Sequence, residues 1–363
     1  MTHFRDTYAR INLQAIRDNL DVLYTKAQKP MIAVIKANAY GHGYKEVASA
    51  IKDHPHVAMF AVATIKEAID LRECGVSQDI LVLGPIPIND LTLAIEYDIS
   101  LALFSFDYLE TIKKLHHGTK PVKVHIAIDT GMNRIGFKSR AELEQVLRAI
   151  DPDVIDAEGI FTHFATADGP ESESDNASYE AQLQLFKDIV GTLRFRYIHC
   201  DNTAAMMFHH SGYGNLVRAG IGMYGVDPRS VDNSELTQAM SLFTRVAMIK
   251  TTPKGEKIGY GLTYEAKEDE RIATLPIGYA DGFIRRNQGR QVWINGKFYD
   301  IVGRVCMDQC MVKVDDNVHV GDKVEIFGEH LSLARMAEEL GTIAYEITCL
   351  ISPRVERNYE DKI

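Results

Sequence analysis

Residues 31–44 read MIAVIKANAYGHGY, and the fold is decided by how this stretch is read. Met31 to Ile35 is an unbroken apolar run, the length and composition of a strand buried on both faces. Lys36 stands where that run stops, and Ala39, Gly41 and Gly43 follow as a turn. A lysine there is held at the rim of a sheet and partly desolvated. Its ammonium form is disfavoured, and its amine becomes available as a nucleophile toward a carbonyl. Taken alone, a strand-end lysine is more often a solvated charge. The rest of the chain shifts that balance.

Working outward from the stretch, the same alternation recurs. After an opening helix, Leu13 to Lys26, short β-rich runs occur at Met31–Lys36, Ala58–Ala63, Ile80–Leu83, Leu101–Phe104, Val122–Ile128, Ile155–Thr162, Tyr197–Cys200 and Leu216–Ala219. Helical patterns lie between them. In TIKEAIDLRECG, Ile65, Ala68 and Ile69 share a face and Gly75 stops the helix; in YEAQLQLFKDIVGTL, Leu183, Phe186 and Val190 share one. Eight strand–helix units are the arithmetic of an α/β fold of the (β/α)8 TIM-barrel type, here assigned to residues 1–231.

A barrel places its chemistry at the C-terminal ends of its strands. Lys36 ends the first run. Asp129, Arg134 and Gly136 follow the fifth in DTGMNRIGF, and His163 follows the sixth in GIFTHFATAD. Asn202 and Thr203 follow the seventh in HCDNTAA, while Arg218 and Gly220 close the eighth in VRAGIGMYG. Asp129-Thr130-Gly131 alone is a turn, and a lone His163 is most often a core histidine bonded to backbone. Arg134 and Arg218 are harder to dismiss. Flanked by Met132, Ile135, Val217 and Ala219, both are expected to be shielded from water and to need an anion or acceptor.

The run GIGMYG also fits G-x-G-x-x-G after a strand. No helix and further strand follow it; the chain runs into DPRSVDNSELTQ, a Pro/Ser/Asp linker, so a dinucleotide site is excluded by context. A phosphate held after the eighth strand remains the expectation.

From about Asp232 the pattern changes to short β-branched runs with Gly or Asn-Gly turns, with a hairpin at Asn295-Gly296 and one helix, Leu331 to Leu340. Residues 232–363 are therefore read as a second, mostly β domain. It carries IGYGLTYE around Tyr260, PIGYADGFIRR around Tyr279 and Arg285, and GRVCMDQC around Cys306, Met307 and Asp308. An aspartate beside apolar residues in a β context, as Asp308 is after Cys306 and Met307, needs a partner.

Composition bounds the function. Of 363 residues, 46% are apolar and 25% charged, which suits a large globular enzyme. A net charge of −10 with no long basic run argues against nucleic-acid binding. Neither a signal sequence nor an apolar run long enough for a membrane span is legible, so no membrane association and a cytoplasmic location are expected. Five scattered cysteines argue against a disulfide framework, and Cys306 and Cys310 lack a second ligand pair at zinc spacing, so no metal is expected.

A rim lysine able to form an aldimine, a phosphate site at the eighth strand and a nearby arginine together suit pyridoxal 5'-phosphate, an electron sink for a carbanion at an amino acid's Cα. The motifs AVIKANAYGHG, DTGMNRIGF, THFATAD, HCDNTAA, RAGIGMYG, YGLTY, PIGYADG and VGRVCMDQC, in that order, resemble the bacterial alanine racemases from end to end. The resemblance implies that Lys36 carries the internal aldimine and acts as one acid/base, with Tyr260 acting on the other face. Inversion is most directly achieved with two groups on opposite faces. It implies that Arg218 faces the pyridine nitrogen and that Tyr40, Thr203 (for the usual serine), Gly220 and Ile221 hold the phosphate. His163 stands beside the ring through Arg218. Arg134 and the Met307 N–H would hold the substrate carboxylate. Arg285 and His163 are the expected cations that lower the Tyr260 pKa, with Tyr279 at the entrance and Asp308 in support. The tyrosine and Met307 would come from a partner subunit, making a homodimer with shared sites. Two positions depart from the family. Ala127 stands where many members carry a carbamylated lysine that orients the arginine, so a bound anion such as chloride or another side chain would substitute. Pro353 stands where a tyrosine often touches the phosphate.

The implied reaction is interconversion of L- and D-alanine, supplying D-alanine for peptidoglycan. The alternatives are a racemase of another small amino acid such as serine, and a non-catalytic pyridoxal phosphate-binding barrel. The latter has no use for a second domain bearing Tyr260. A decarboxylase on a similar plan calls for an acidic partner of the pyridine nitrogen, where this chain offers Arg218.

Overall fold

The computed structural model describes residues 5–118, 120–233 and 235–361. The chain forms two compact units. One comprises Arg17–Ala39 and Tyr44–Met223; the other comprises the chain up to Ile16, the short segment Tyr40–Gly43, and the chain from Tyr224 onward.

The first strand, β1 (Tyr8–Asn12), belongs to the second unit. The next eight build the barrel: β2 (Met31–Val34), β3 (Val57–Val62), β4 (Asp79–Val82), β5 (Ile99–Leu103), β6 (Val122–Ala127), β7 (Ile155–Phe161), β8 (Tyr197–His199) and β9 (Val217–Ala219). All eight expected strands form. They are parallel, in the order β8-β7-β6-β5-β4-β3-β2-β9, and a bridge between His199 and Leu216 joins the two ends. β2 and β5 are buried along their whole length, which is why their sequences run apolar rather than alternating. Helices follow the strands through loops, several of which end in a capping side chain. Thr64, Ser105, Ser139 and Asn202 each accept from an N–H of the first helical turn. These turns hold the rim in place.

β2 stops at Val34, short of Lys36, because Ala37, Asn38, Ala39 and Tyr40 all take left-handed conformations, with φ between 52° and 55°. For residues with a Cβ this costs about 1–2 kcal/mol each. Lys36 therefore opens a strained turn.

The second unit is a nine-stranded sheet in the order β11-β14-β17-β16-β15-β18-β10-β1-β19, built from β1, β10 (Met240–Arg245), β11 (Met248–Thr252), β14 (Glu270–Leu275), β15 (Gln291–Ile294), β16 (Lys297–Val302), β17 (Cys310–Val314), β18 (Lys323–Phe327) and β19 (Glu356–Glu360). The short pair β12 (Lys257–Ile258) and β13 (Tyr264–Glu265) stands beside it as a separate ribbon. Asn295 and Gly296, with φ of 46° and 89°, make the expected tight hairpin between β15 and β16. The expected helix begins two residues late, at Leu333 after the capping Ser332.

Each compact unit draws on more than one stretch of the chain. Tyr8–Asn12 alternates half-buried and buried residues and pairs antiparallel with β10 and parallel with β19, as a one-face-buried strand should. Tyr40–Gly43 also packs in this unit. A Cβ on Gly41 would meet the Thr348 carbonyl oxygen at 2.0 Å, and one on Gly43 the Tyr359 hydroxyl at 1.9 Å. Among the described residues no helix is long and apolar enough to cross a membrane, and no group of three or more His, Cys, Asp or Glu could hold a metal ion.

Candidate active site

On the barrel, the site is built around Arg218. It lies on β9 opposite Ile32 of β2, the strand that leads to Lys36, and only 4% of it is exposed. One terminal nitrogen donates to His199 Nδ1 at 2.9 Å and the His199 carbonyl at 3.0 Å. The other donates to the carbonyls of Thr162 (2.9 Å) and Cys200 (2.8 Å) and to His163 Nδ1 (3.3 Å). Burial pulls its pKa down to about 10, still high enough to keep the guanidinium charged.

Because a guanidinium can only donate, both histidines must present an acceptor Nδ1 to it and carry any proton on Nε2. The His163 pKa is pushed down to about 3, by burial first and then by Arg218, Arg134 and Lys36. His163 is therefore neutral, not a cation able to lower the Tyr260 pKa. The charges of Arg218, Arg134 and Lys36 all act on this one ring.

The turn after β9 is tied to the helix after β8. Thr203 opens the helix Thr203–Phe208, and its Oγ1 accepts from the N–H of Gly220 at 3.0 Å and of Gly222 at 3.5 Å. That leaves the hydroxyl proton to donate elsewhere. Ile221 begins the tight turn Ile221–Tyr224. Gly222 has to be glycine, since a Cβ there would lie 2.6 Å from the Thr203 methyl.

The DTG loop is ordered by its own aspartate. Asp129 Oδ1 accepts from the N–H of Gly131 (3.1 Å) and Asn133 (2.9 Å), and Thr130 Oγ1 meets Thr162 Oγ1 at 2.8 Å. Arg134, at the end of this loop, is exposed, contrary to the expectation from its apolar neighbours. Met132 is itself 37% exposed, so the loop projects and shields nothing. Ala127 is sealed in an apolar cluster with Ala102 and Phe161, against which Leu83 and Phe104 pack.

In the second unit, Tyr40 is buried with its ring 5.0 Å from that of Tyr224, and burial holds its phenol well above the usual pKa, so it remains a donor. Tyr260 is 69% exposed on a turn between Gly259 and Gly261, whose φ values are 75° and 74°. The loops carrying Tyr279 and Met307 are pinned together. Tyr279 N–H donates to the Cys306 carbonyl and Ala280 N–H to that of Met307, both at 3.0 Å, and a Cβ on Gly278 would strike both oxygens at 2.4 Å. Asp308 finds its partner in Arg354, at 2.8 Å, and Arg285 is exposed. Thus Lys36, Arg134, His163, Thr203, Arg218, Gly220 and Ile221 lie on the barrel, and Tyr40, Tyr260, Tyr279, Arg285, Met307 and Asp308 on the β unit.

Several residues shape these loops without having been identified from the sequence. Glu67 accepts from the N–H of Ala37 (2.7 Å), Ala63 (2.8 Å) and Thr64 (3.2 Å), tying the Lys36 turn to a helix start. Its T-x-x-E capping box was the legible signal. Gln182 bridges the DTG and THF loops, accepting from Ala165 N–H at 2.9 Å and donating to Thr130 Oγ1 at 3.2 Å. Asp281, fully buried, takes Arg5 and the Gly278 N–H and so fixes the Tyr279 loop.

Known proteins resemble the chain throughout. Residues 11–228 match the family model described as "Alanine racemase, N-terminal domain", and residues 239–359 that described as "Alanine racemase, C-terminal domain". A relative named alanine racemase from Lactiplantibacillus plantarum is 42% identical over 375 residues, covering 98% of both chains. The crystal structure of alanine racemase from E. faecalis superposes with a TM-score of 0.92 at 40% identity, covering 98% of both. A histidine racemase from Leuconostoc mesenteroides superposes at 0.90 with 30% identity, covering 99% of both.

Proposed function

The chain belongs to the alanine racemase family, and from that premise we propose that it interconverts L- and D-alanine, with pyridoxal phosphate as cofactor and a two-base mechanism. The observation that carries the reading is Arg218. It is a buried guanidinium whose protein partners are carbonyls and neutral rings, on the strand beside the one that leads to Lys36.

The residues present fit the cofactor. Lys36 would bind its carbonyl carbon, Arg218 would face the ring nitrogen, and the Thr203 hydroxyl with the backbone of Gly220 and Ile221 would hold the phosphate, assisted by Tyr40. When bound, pyridoxal phosphate supplies an electron sink for the pair left at Cα when its proton departs. A guanidinium does not give up its proton at neutral pH, so Arg218 donates a hydrogen bond without protonating the ring, which moderates the sink and disfavours side reactions. Arg134 would take the substrate carboxylate as a bidentate donor, with the Met307 N–H beside it. Lys36 would move the Cα proton on one face and Tyr260 on the other. His163, neutral, would accept from Arg218 and hold its plane. Asp308, paired with Arg354, would steady the Met307 loop, while Arg285 and Tyr279 would line the approach.

We infer a homodimer in which Tyr260 and Met307 complete the partner's site. Their exposure in the single chain, 69% and 52%, supports this, as does that of neighbouring Leu262. A cytoplasmic location and a role in supplying D-alanine for the cell wall accompany the reading. A second amino acid as substrate is the alternative that the histidine racemase neighbour brings forward.

Incubation with a panel of L-amino acids in heavy water, followed by chiral analysis, should give the D-enantiomer with deuterium at Cα from alanine above all others. Borohydride should fix the cofactor on Lys36, and label recovered elsewhere would overturn the assignment. A Tyr260→Phe variant should bind cofactor but lose Cα exchange for one enantiomer. Normal exchange of both would end the two-face reading.

A further inference from the structure

Beyond Arg218, a row of buried polar side chains crosses the barrel interior, and the reaction proposed above makes no use of it. His199 Nε2 lies 2.9 Å from His125 Nδ1, and His125 Nε2 lies 3.4 Å from Glu158 Oε1. Both rings are fully buried and Glu158 is nearly so. The Ser100 hydroxyl donates to Glu158, and Arg196 NH1 lies 3.8 Å from its other oxygen. Lys123, with its carboxylate partners Asp98 and Asp79, and Tyr197 are further ionisable groups near this end of the row.

Arg218 fixes the direction of the hydrogen bonds to both rings, and the His125 Nε2 that faces Glu158 across 3.4 Å makes no hydrogen bond of its own. The guanidinium can only donate, so His199 Nδ1 accepts and His199 carries its proton on Nε2. That proton can go only to His125 Nδ1, so His125 in turn carries its proton on Nε2, pointing at the carboxylate. Both rings are neutral, and all donors point from the guanidinium toward Glu158. The rings cannot readily turn. Phe161 stacks on His199 at 5.1 Å and 3°, and Tyr197 on His125 at 5.5 Å and 19°. Gly159 makes room for His125, since a Cβ there would lie 2.4 Å from Nδ1.

We propose that Glu158, acting through His125 and His199, is a positioning residue that holds the Arg218 guanidinium oriented toward the cofactor ring nitrogen. The inference rests on the cofactor reading above for what Arg218 faces, but the row itself is a property of the chain alone. Its logic is one of distance. A carboxylate in direct contact with Arg218 would claim the N–H groups meant for the ring, whereas one two rings away leaves them free and polarises the row in a single direction; the buried Asp201, nearer by, is the carboxylate that favours the guanidinium charge.

The test begins without cofactor. In nitrogen-15 NMR of the full-length apoprotein, His125 and His199 should both be neutral with the proton on Nε2 from pH 6 to 9. A proton on Nδ1 of either ring would overturn the proposal. In Glu158→Gln the ring resonances of both histidines should shift. In the loaded enzyme kcat for alanine should fall about tenfold, with KM within about twofold, and Glu158→Asp should restore most of it. Unmoved resonances or an unchanged kcat would overturn it. If Glu158→Gln does not fold, Ser100→Ala should move the same resonances by less, and no movement would count against the carboxylate. A wild-type chain that binds no pyridoxal phosphate would sink the cofactor reading while the tautomers still decide the row.

Discussion

Replacing Glu67 with alanine should loosen the turn that carries Lys36 without touching any group proposed to meet the substrate. The carboxylate holds three backbone amides, with Ala37 at 2.7 Å, Ala63 at 2.8 Å and Thr64 at 3.2 Å, and the Glu67 N–H returns a bond to Thr64 Oγ1. Loss of the cap costs about 1 kcal/mol, and loss of a carboxylate bond to Ala37 about 1.5–3 kcal/mol, less because Glu67 is half-exposed. A total of about 2–4 kcal/mol is a large part of the roughly 4–8 kcal/mol that four left-handed residues store. Hydrogen exchange at Ala37 and Ala39 should therefore speed up on the order of 100-fold, while the barrel strands keep their protection. Borohydride capture at Lys36 should slow with it. Glu67→Gln, which keeps one acceptor oxygen, should fall between. Exchange at Ala37 and Ala39 within threefold of wild type, or an increase spread evenly over the barrel, would refute the clamp.

Arg218→Lys removes the fork that serves the carbonyls of Thr162, His199 and Cys200. It should lower stability by about 2–4 kcal/mol in urea and reduce racemisation at least tenfold. Thr203→Val leaves the Gly220 N–H without its acceptor and the proposed phosphate site without its hydroxyl, so pyridoxal phosphate should bind about tenfold more weakly by absorbance titration, while Thr203→Ser should stay near wild type. Acid should destabilise the barrel through His163. Unfolded, its pKa is near 6.5; folded, it is held at about 3. Between those values the unfolded chain binds about one proton more, and stability falls with pH by up to about 1.4 kcal/mol per unit. The urea midpoint should drop from pH 7 to pH 5, and His163→Asn should flatten part of that slope.

How much of this was legible in the sequence depends on how local its cause is. The barrel strands announced themselves because a parallel strand buried on both faces must be apolar throughout. β1 did not, because Tyr8–Asn12 is half polar and its partners, β10 and β19, are more than 200 residues away. Apolar flanks led to the same expectation for Arg134 and Arg218, and it held for only one of them. On a strand such as Val217–Ala219 the neighbours are fixed in the wall, so the arginine between them is buried. In the loop after β6, Met132 and Ile135 belong to no wall, and Arg134 reaches solvent.

The groups that orient the site were hidden for a related reason. Asp281 owes its burial to Arg5, 276 residues earlier, and Glu158 matters only because eight strands bring Ser100, His125, His199 and Arg218 into one interior. Sequence spacing can place a reactive side chain at the end of a strand, because that depends on one strand and its turn. Whether the side chain is held charged, neutral or in one tautomer depends on what the neighbouring strands point at it. His163 makes the case. In the sequence it is an expected cation, yet burial and three neighbouring cations keep it neutral, so in this fold it accepts from Arg218 rather than carrying charge.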